Sequence, residues 1–210
     1  MLKTLKATSV VMLLSLVLAV AGCSGTAQPS ESAGKKAAVK SGGPGRYVLV
    51  DENSGAKIVA TVPATTDDED IAKLESWRQA ARAVAPADFV AQNELVREPQ
   101  GDGPVSYVLV ETDNTDGTKL SQTFSLRIVT DEGEQVSYQD FGNATTVFFN
   151  AFNASGQGYD LQQQFNDWSN SDAVQSSAMP GAKAKTIYVS AKVPTSIKSV
   201  WIDNRQMTKE

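Results

Sequence analysis

The chain has 210 residues, 41% of them hydrophobic and 20% charged, with a formal net charge of −5. It contains no histidine and one cysteine, Cys23, which removes Ser-His-Asp and Cys-His catalysis, histidine metal sites and internal disulfides, and leaves zinc no soft ligand but that thiol. The acidic balance argues against nucleic acid, whose phosphates need clustered lysine and arginine.

The first element is a targeting segment. Residues 1–6 carry two lysines and residues 10–21 form an almost unbroken apolar run. A run of roughly a dozen residues suits the core of a signal peptide, about 7–15, and is short of the roughly 20 that span a bilayer. It ends in Val20-Ala21-Gly22-Cys23, which resembles the lipobox of bacterial lipoproteins. The resemblance implies that residues 1–22 are cut away, that the Cys23 thiol receives a diacylglycerol, and that the mature chain sits on the outer, extracytoplasmic face of the cell membrane. Acyl chains contribute about 0.8 kcal/mol per buried methylene, so two or more anchor stably. Residues 23–46 are rich in Gly, Ser, Ala and Lys, without apolar periodicity, and read as a flexible tether.

Residues 47–210 form the expected folded domain. Residues 47–50 and 57–62 read as a hairpin around Asp51-Glu52-Asn53-Ser54-Gly55. Ser54 and Lys57 have the S-x-x-K spacing of a serine nucleophile with a lysine base, but the companion elements are missing. Thr66-Asp67-Asp68-Glu69 has the form of a capping box, and Ile71, Leu74, Trp77 or Arg78, Ala81 and Val84 recur at helical spacing before Pro86. A helix over 67–85 is predicted. Its acidic first turn complements the helix dipole without a metal.

Residues 105–111 are apolar on both faces, as in a central strand, and 121–130 alternates with Phe124, Leu126 and Ile128 inward. The intervening Asp113-Asn114-Thr115-Asp116-Gly117 fails as a calcium loop, because Thr112 and Thr123 fall where ligands belong, and reads as a turn. Residues 135–140, 186–193 and 196–203 supply further strands, with a turn at Pro180-Gly181. About seven to nine short, evenly punctuated strands indicate a mostly β antiparallel sandwich.

Three stretches, 104–117, 121–139 and 180–194, together with the helix ahead of the first long strand, resemble the immunoglobulin-like β-sandwich domains of uncharacterised actinobacterial secreted lipoproteins. The likeness implies an Ig-like fold without the Cys-Trp-Cys core, and it supplies no catalytic residues.

Residues 141–168 hold seven of the fifteen aromatics among many Asn and Gln. Phe148, Phe152, Tyr159, Asp160 and Trp168 are the candidate ligand-binding residues there, since ring faces beside amides and an acid complement sugars and peptides. The plainer alternative makes residues 145–152 a core strand followed by a long loop. The expected function is a non-enzymatic, monomeric binding module, with no cofactor or metal, that meets the membrane through lipidated Cys23 and an envelope protein or small ligand through the domain. The alternatives are a small-ligand carrier using 141–168, or an envelope enzyme working through Asp140 with Asp160 or Asp167.

Overall fold

The computed structural model describes residues 42–97, 105–156, 159–170 and 174–210. The predicted signal peptide, Cys23 and nearly all of the predicted tether lie outside the described residues. The chain runs β1 (Gly45–Val50), β2 (Lys57–Ala64), α1 (Glu69–Val84), α2 (Ala87–Gln92), β3 (Ser106–Asn114), β4 (Ser121–Gln122), β5 (Leu126–Val129), β6 (Gln135–Asp140), α3 (Phe141–Ala154), α4 (Tyr159–Ser169), β7 (Ser177–Ala178), β8 (Ala182–Ser190), β9 (Ser199–Ile202), β10 (Arg205–Gln206) and β11 (Thr208–Lys209).

Nine strands make one antiparallel sheet in the order β10-β9-β5-β6-β8-β3-β2-β1-β11, and β4 pairs with β7 in a separate ribbon. β10 and β11 stand at opposite ends of that order, yet Met207 alone separates them in sequence. The sheet is therefore nearly closed on itself. Around this seam the Met207 amide donates to the Val200 carbonyl at 2.9 Å and the Glu210 amide to the Arg46 carbonyl at 3.0 Å. The residues that close it enclose one core, which contains Tyr47, Ile58, Val108, Val110, Leu126, Ile128, Tyr188, Val200, Ile202 and Met207.

A second core lies on the opposite side of β3 and β8, where Tyr107, Ile187 and Val189 pack with Leu74, Trp77, Phe148, Phe152 and Phe165 of the helices. Successive side chains of a strand point to opposite faces, so β3 and β8 need apolar residues at every position to serve both cores. That is why residues 105–111 read as a central strand.

The mostly β expectation holds in its coarse form, the main strands making one nearly closed antiparallel sheet. The helix count is corrected: there are four among the described residues where one was expected. The sequence 141–154 folds as α3, not as a strand. Its buried residues Phe141, Ala144, Thr145, Phe148, Ala151 and Phe152 follow helical spacing, and Asp140 caps it by accepting the Asn143 amide at 2.8 Å. In α1 the cap is Asp68, which accepts from the Asp70 and Ile71 amides at 3.0 and 3.2 Å, in place of the expected Thr66. Phe124 also departs from its expected inward place and is exposed. Between β4 and β5 the alternation slips by one residue, leaving Thr123 and Leu126 buried, and the Asp203 carboxylate fixes the slip by accepting the Phe124 and Ser125 amides at 3.0 and 2.9 Å.

One buried ionic group ties α1 to the sheet. Arg78 donates Nε and Nη2 to the two Glu75 carboxylate oxygens, each at 2.7 Å, and Nη1 to the Leu95 carbonyl at 3.3 Å, while the Tyr107 hydroxyl donates to Glu75. Burial alone raises the Glu75 carboxyl, but the hydrogen bonds from Arg78, Tyr107 and Gln79 outweigh it and hold the group below the ordinary glutamate range.

Candidate functional site

The same outward face of β3 and β8 that is apolar beneath the helices turns ionic beyond them. Going along β3, Tyr107 and Leu109 give way to Glu111 and Asp113; going back along β8, Val189 and Ile187 give way to Lys185 and Lys183. The strand register sets Glu111 opposite Lys185 and Asp113 opposite Lys183, and on the other side sets Lys57 of β2 opposite Asp113 and Val59 opposite Glu111. Charges of opposite sign therefore alternate across three strands, an arrangement in which direct neighbours stabilise one another.

Over this ladder lies an open cleft of about 440 Å³, whose charged walls are Arg46, Lys57, Glu111, Asp113, Lys183 and Lys185. Lys183 Nζ meets Asp113 at 2.7 Å, and Glu210 accepts contacts from Arg46 at 3.2 Å and Lys57 at 3.4 Å. Lys185 reaches the start of α1, pairing with Asp70 and, at 3.4 Å, with Asp68. The hydrogen bond from Lys183, with help from Thr115, holds the Asp113 carboxyl down at about 2. Lys185 loses some preference for its charge to burial, but Asp70 and Asp68 more than restore it and raise its pKa. Asp113, Lys183 and Lys185 are thus each held in the charged form, which suits recognition of charge and not proton transfer.

The aromatic candidates occupy other ground. Phe148 and Phe152 have no exposed surface and belong to the helical core, so their assignment as ligand contacts is corrected: helical spacing turns both rings inward. Trp168 is partly buried in the same cluster, its ring 5.5 Å from Phe141 and 6.1 Å from Phe165. Asp160 is exposed on α4, and the Tyr159 side chain lies outside the described residues. Phe141 and Gly142 of this segment line a hollow of about 290 Å³, shared with Val174, Gln175, Ser176, Ser177 and Thr186.

The S-x-x-K residues are also separated by their partners. The Ser54 hydroxyl donates to Asp51 at 2.6 Å, and Lys57 turns to Glu210. Asp140 caps α3 and Asp167 accepts from Gln163 at 2.7 Å. No group of three or more possible metal ligands occurs among the described residues.

Reading the sequence by elements missed the ionic cleft, although its signal was present: Lys183 and Lys185 alternate on one face of a strand that is apolar farther on, and Glu111 and Asp113 do the same on its neighbour. What hid it was the pairing of β3 with β8, which are some seventy residues apart. Compared as a whole, the chain matches no protein-family model, no curated protein and no solved structure.

Proposed function

We propose that the chain is a lipid-anchored, extracytoplasmic binding module with no catalytic activity of its own, and that the cleft over β2, β3 and β8 takes a ligand bearing charges of both signs, such as an extended peptide of an envelope protein. The observation that carries this reading is the charge ladder: four cations and two carboxylates line one hollow on an otherwise acidic chain. A ligand with alternating charges exchanges partners with this ladder without leaving any charge unpaired. The anchor rests on Val20-Ala21-Gly22-Cys23 and the apolar run before it. No described helix is long and apolar enough to cross a membrane.

The immunoglobulin-like likeness enters this reading only through antiparallel strands and their turns. A carrier built on residues 141–168 has less support, because Phe148 and Phe152 are spent on the core.

The anchor and the site are tested separately. Cys23→Ser is expected to move the protein from the membrane fraction to the soluble one; retention argues against lipidation. Short peptides alternating Lys and Glu are expected to raise the thermal midpoint of the mature protein, weakly at high salt, and Lys183→Ala with Glu111→Ala is expected to remove the shift. A shift that survives both substitutions places the ligand elsewhere.

A further inference from the structure

Five large hydrophobic side chains are exposed among the described residues: Val50, Leu120, Phe124, Met179 and Val193. Three of them, Leu120, Phe124 and Met179, flank one small ribbon. Ser121 pairs with Ala178 and Gln122 with Ser177, so the next positions outward, Leu120 and Met179, stand opposite each other. Ser121, Thr123 and Ala178 are buried, whereas Leu120 is 44% exposed and Phe124 and Met179 are each 65% exposed. By strand alternation, Leu120, Gln122 and Phe124 face outward together with Ser177 and Met179.

That face carries no charge. Lys119, beside it, donates to Asn53 at 3.1 Å, and the Asp203 carboxylate is occupied by the Phe124 and Ser125 amides. A neutral apolar face with its neighbouring charges turned aside is complementary to an apolar phase, not to an acidic or basic partner. It is also too small for a free protein partner, since three side chains fall far short of the roughly 800 Å² per side of a stable interface. A contact that small can persist only where the other surface is already tethered nearby.

We propose that the outward face of β4 and β7 rests on the lipid bilayer, with Leu120, Phe124 and Met179 entering its interfacial region. The proposal rests on the lipid anchor at Cys23. Its geometry comes from β1, which begins at Gly45, close to where the tether enters, and ends beside Asp51, whose carboxylate accepts the Ser121 hydroxyl at 3.4 Å. β4 thus sits about one strand length from the tether's entry, ~20 Å for six residues. The stretch from Cys23 to Gly42 can reach at most about 65 Å even when fully extended, well beyond that distance, so a lipidated Cys23 lets this face meet the bilayer and keeps it at a high effective concentration there.

The test uses the mature lipidated protein on phosphatidylcholine vesicles that contain lipids with a doxyl quencher high in the acyl chain. Once Cys23 carries lipid, Met179→Cys provides a unique thiol for a bimane dye; Val193→Cys, placed beyond the other end of β8, is the control. Val193 precedes by four residues Ile197, whose carbonyl accepts the Gly43 amide, and so stands in the loop that meets the start of the described chain. The dye at 179 is expected to be quenched several-fold more than the dye at 193, at low and high salt alike, and Leu120→Ser with Phe124→Ser is expected to erase the difference. Equal quenching at both positions, or none at 179, overturns the proposal while co-flotation of protein with vesicles still upholds the anchor. Cross-linking between copies at 179 without lipid quenching assigns the face to self-association and also overturns it. Loss of co-flotation removes the anchor and the bilayer contact together.

Discussion

Glu75 shows how much one side chain carries. Its carboxylate receives Arg78, Tyr107 and Gln79, and with Arg78 it forms a buried pair, so removing the acid strands a guanidinium that has little access to water. Glu75→Gln is therefore expected to cost about 3–5 kcal/mol, measurable by urea unfolding at neutral pH. The pH dependence has a definite sign. A carboxyl whose pKa is lower in the folded state than in the unfolded one stabilises the fold above its unfolded pKa, and the benefit is lost as pH falls through the folded value. Asp51 is lowered as well: burial opposes its charge, but hydrogen bonds from Ser54, Arg205 and the Asn53 amide prevail. The wild type should thus lose stability below about pH 4, with a smaller loss in Glu75→Gln. None of this was legible residue by residue. Glu75 and Arg78 are helical neighbours, but Tyr107 comes from β3, and a sequence does not show which strand an α-helix will lie on.

At the scale of elements, α3 illustrates a signal that was present and outweighed. Phe141, Ala144, Phe148, Ala151 and Phe152 have the spacing of one helical face, and Asp140 stands at the cap, but β-branched Thr145, Thr146 and Val147 with Phe148 and Phe149 have strong strand propensity. Tertiary burial decided for the helix, because α3 closes the core over Ile187 and Val189. Phe152→Ala is expected to cost about 3–5 kcal/mol and Asp140→Ala about 1 kcal/mol, in that order, by chemical denaturation. A Phe152→Ala cost as small as that of the cap would mean that the rings pack loosely enough to leave room for a ligand. α1 was readable beforehand because its buried residues keep one helical period, and β3 because it is apolar on both faces over a long run. β4, β7, β10 and β11 are two residues long, and no periodic pattern can be recognised in so short a stretch. The outward turn of Phe124 is a consequence of that brevity, since one slipped residue between β4 and β5 reverses the face.

Across the whole molecule, the sheet depends on its seam. Met207 fills the enclosed core at the point where the two ends of the sheet meet, so Met207→Ala is expected to destabilise by about 2–5 kcal/mol, with faster hydrogen exchange in β1 and β11 than in β3 and β8. Uniform exchange across all strands would show that the seam holds no special place in the fold. The mostly β character could be read from the sequence because turns punctuate the strands; the closure could not, because it joins Tyr47 to Lys209, and local patterns carry no information about partners that far apart. That pairing also imposes a timetable. β1 is the first strand of the described chain and β11 the last, and contacts so distant in sequence form slowly, so no partial chain can finish the sheet. A polypeptide passed through a narrow channel from its N-terminus would have to remain open until β11 emerged, and would complete its fold only on the far side.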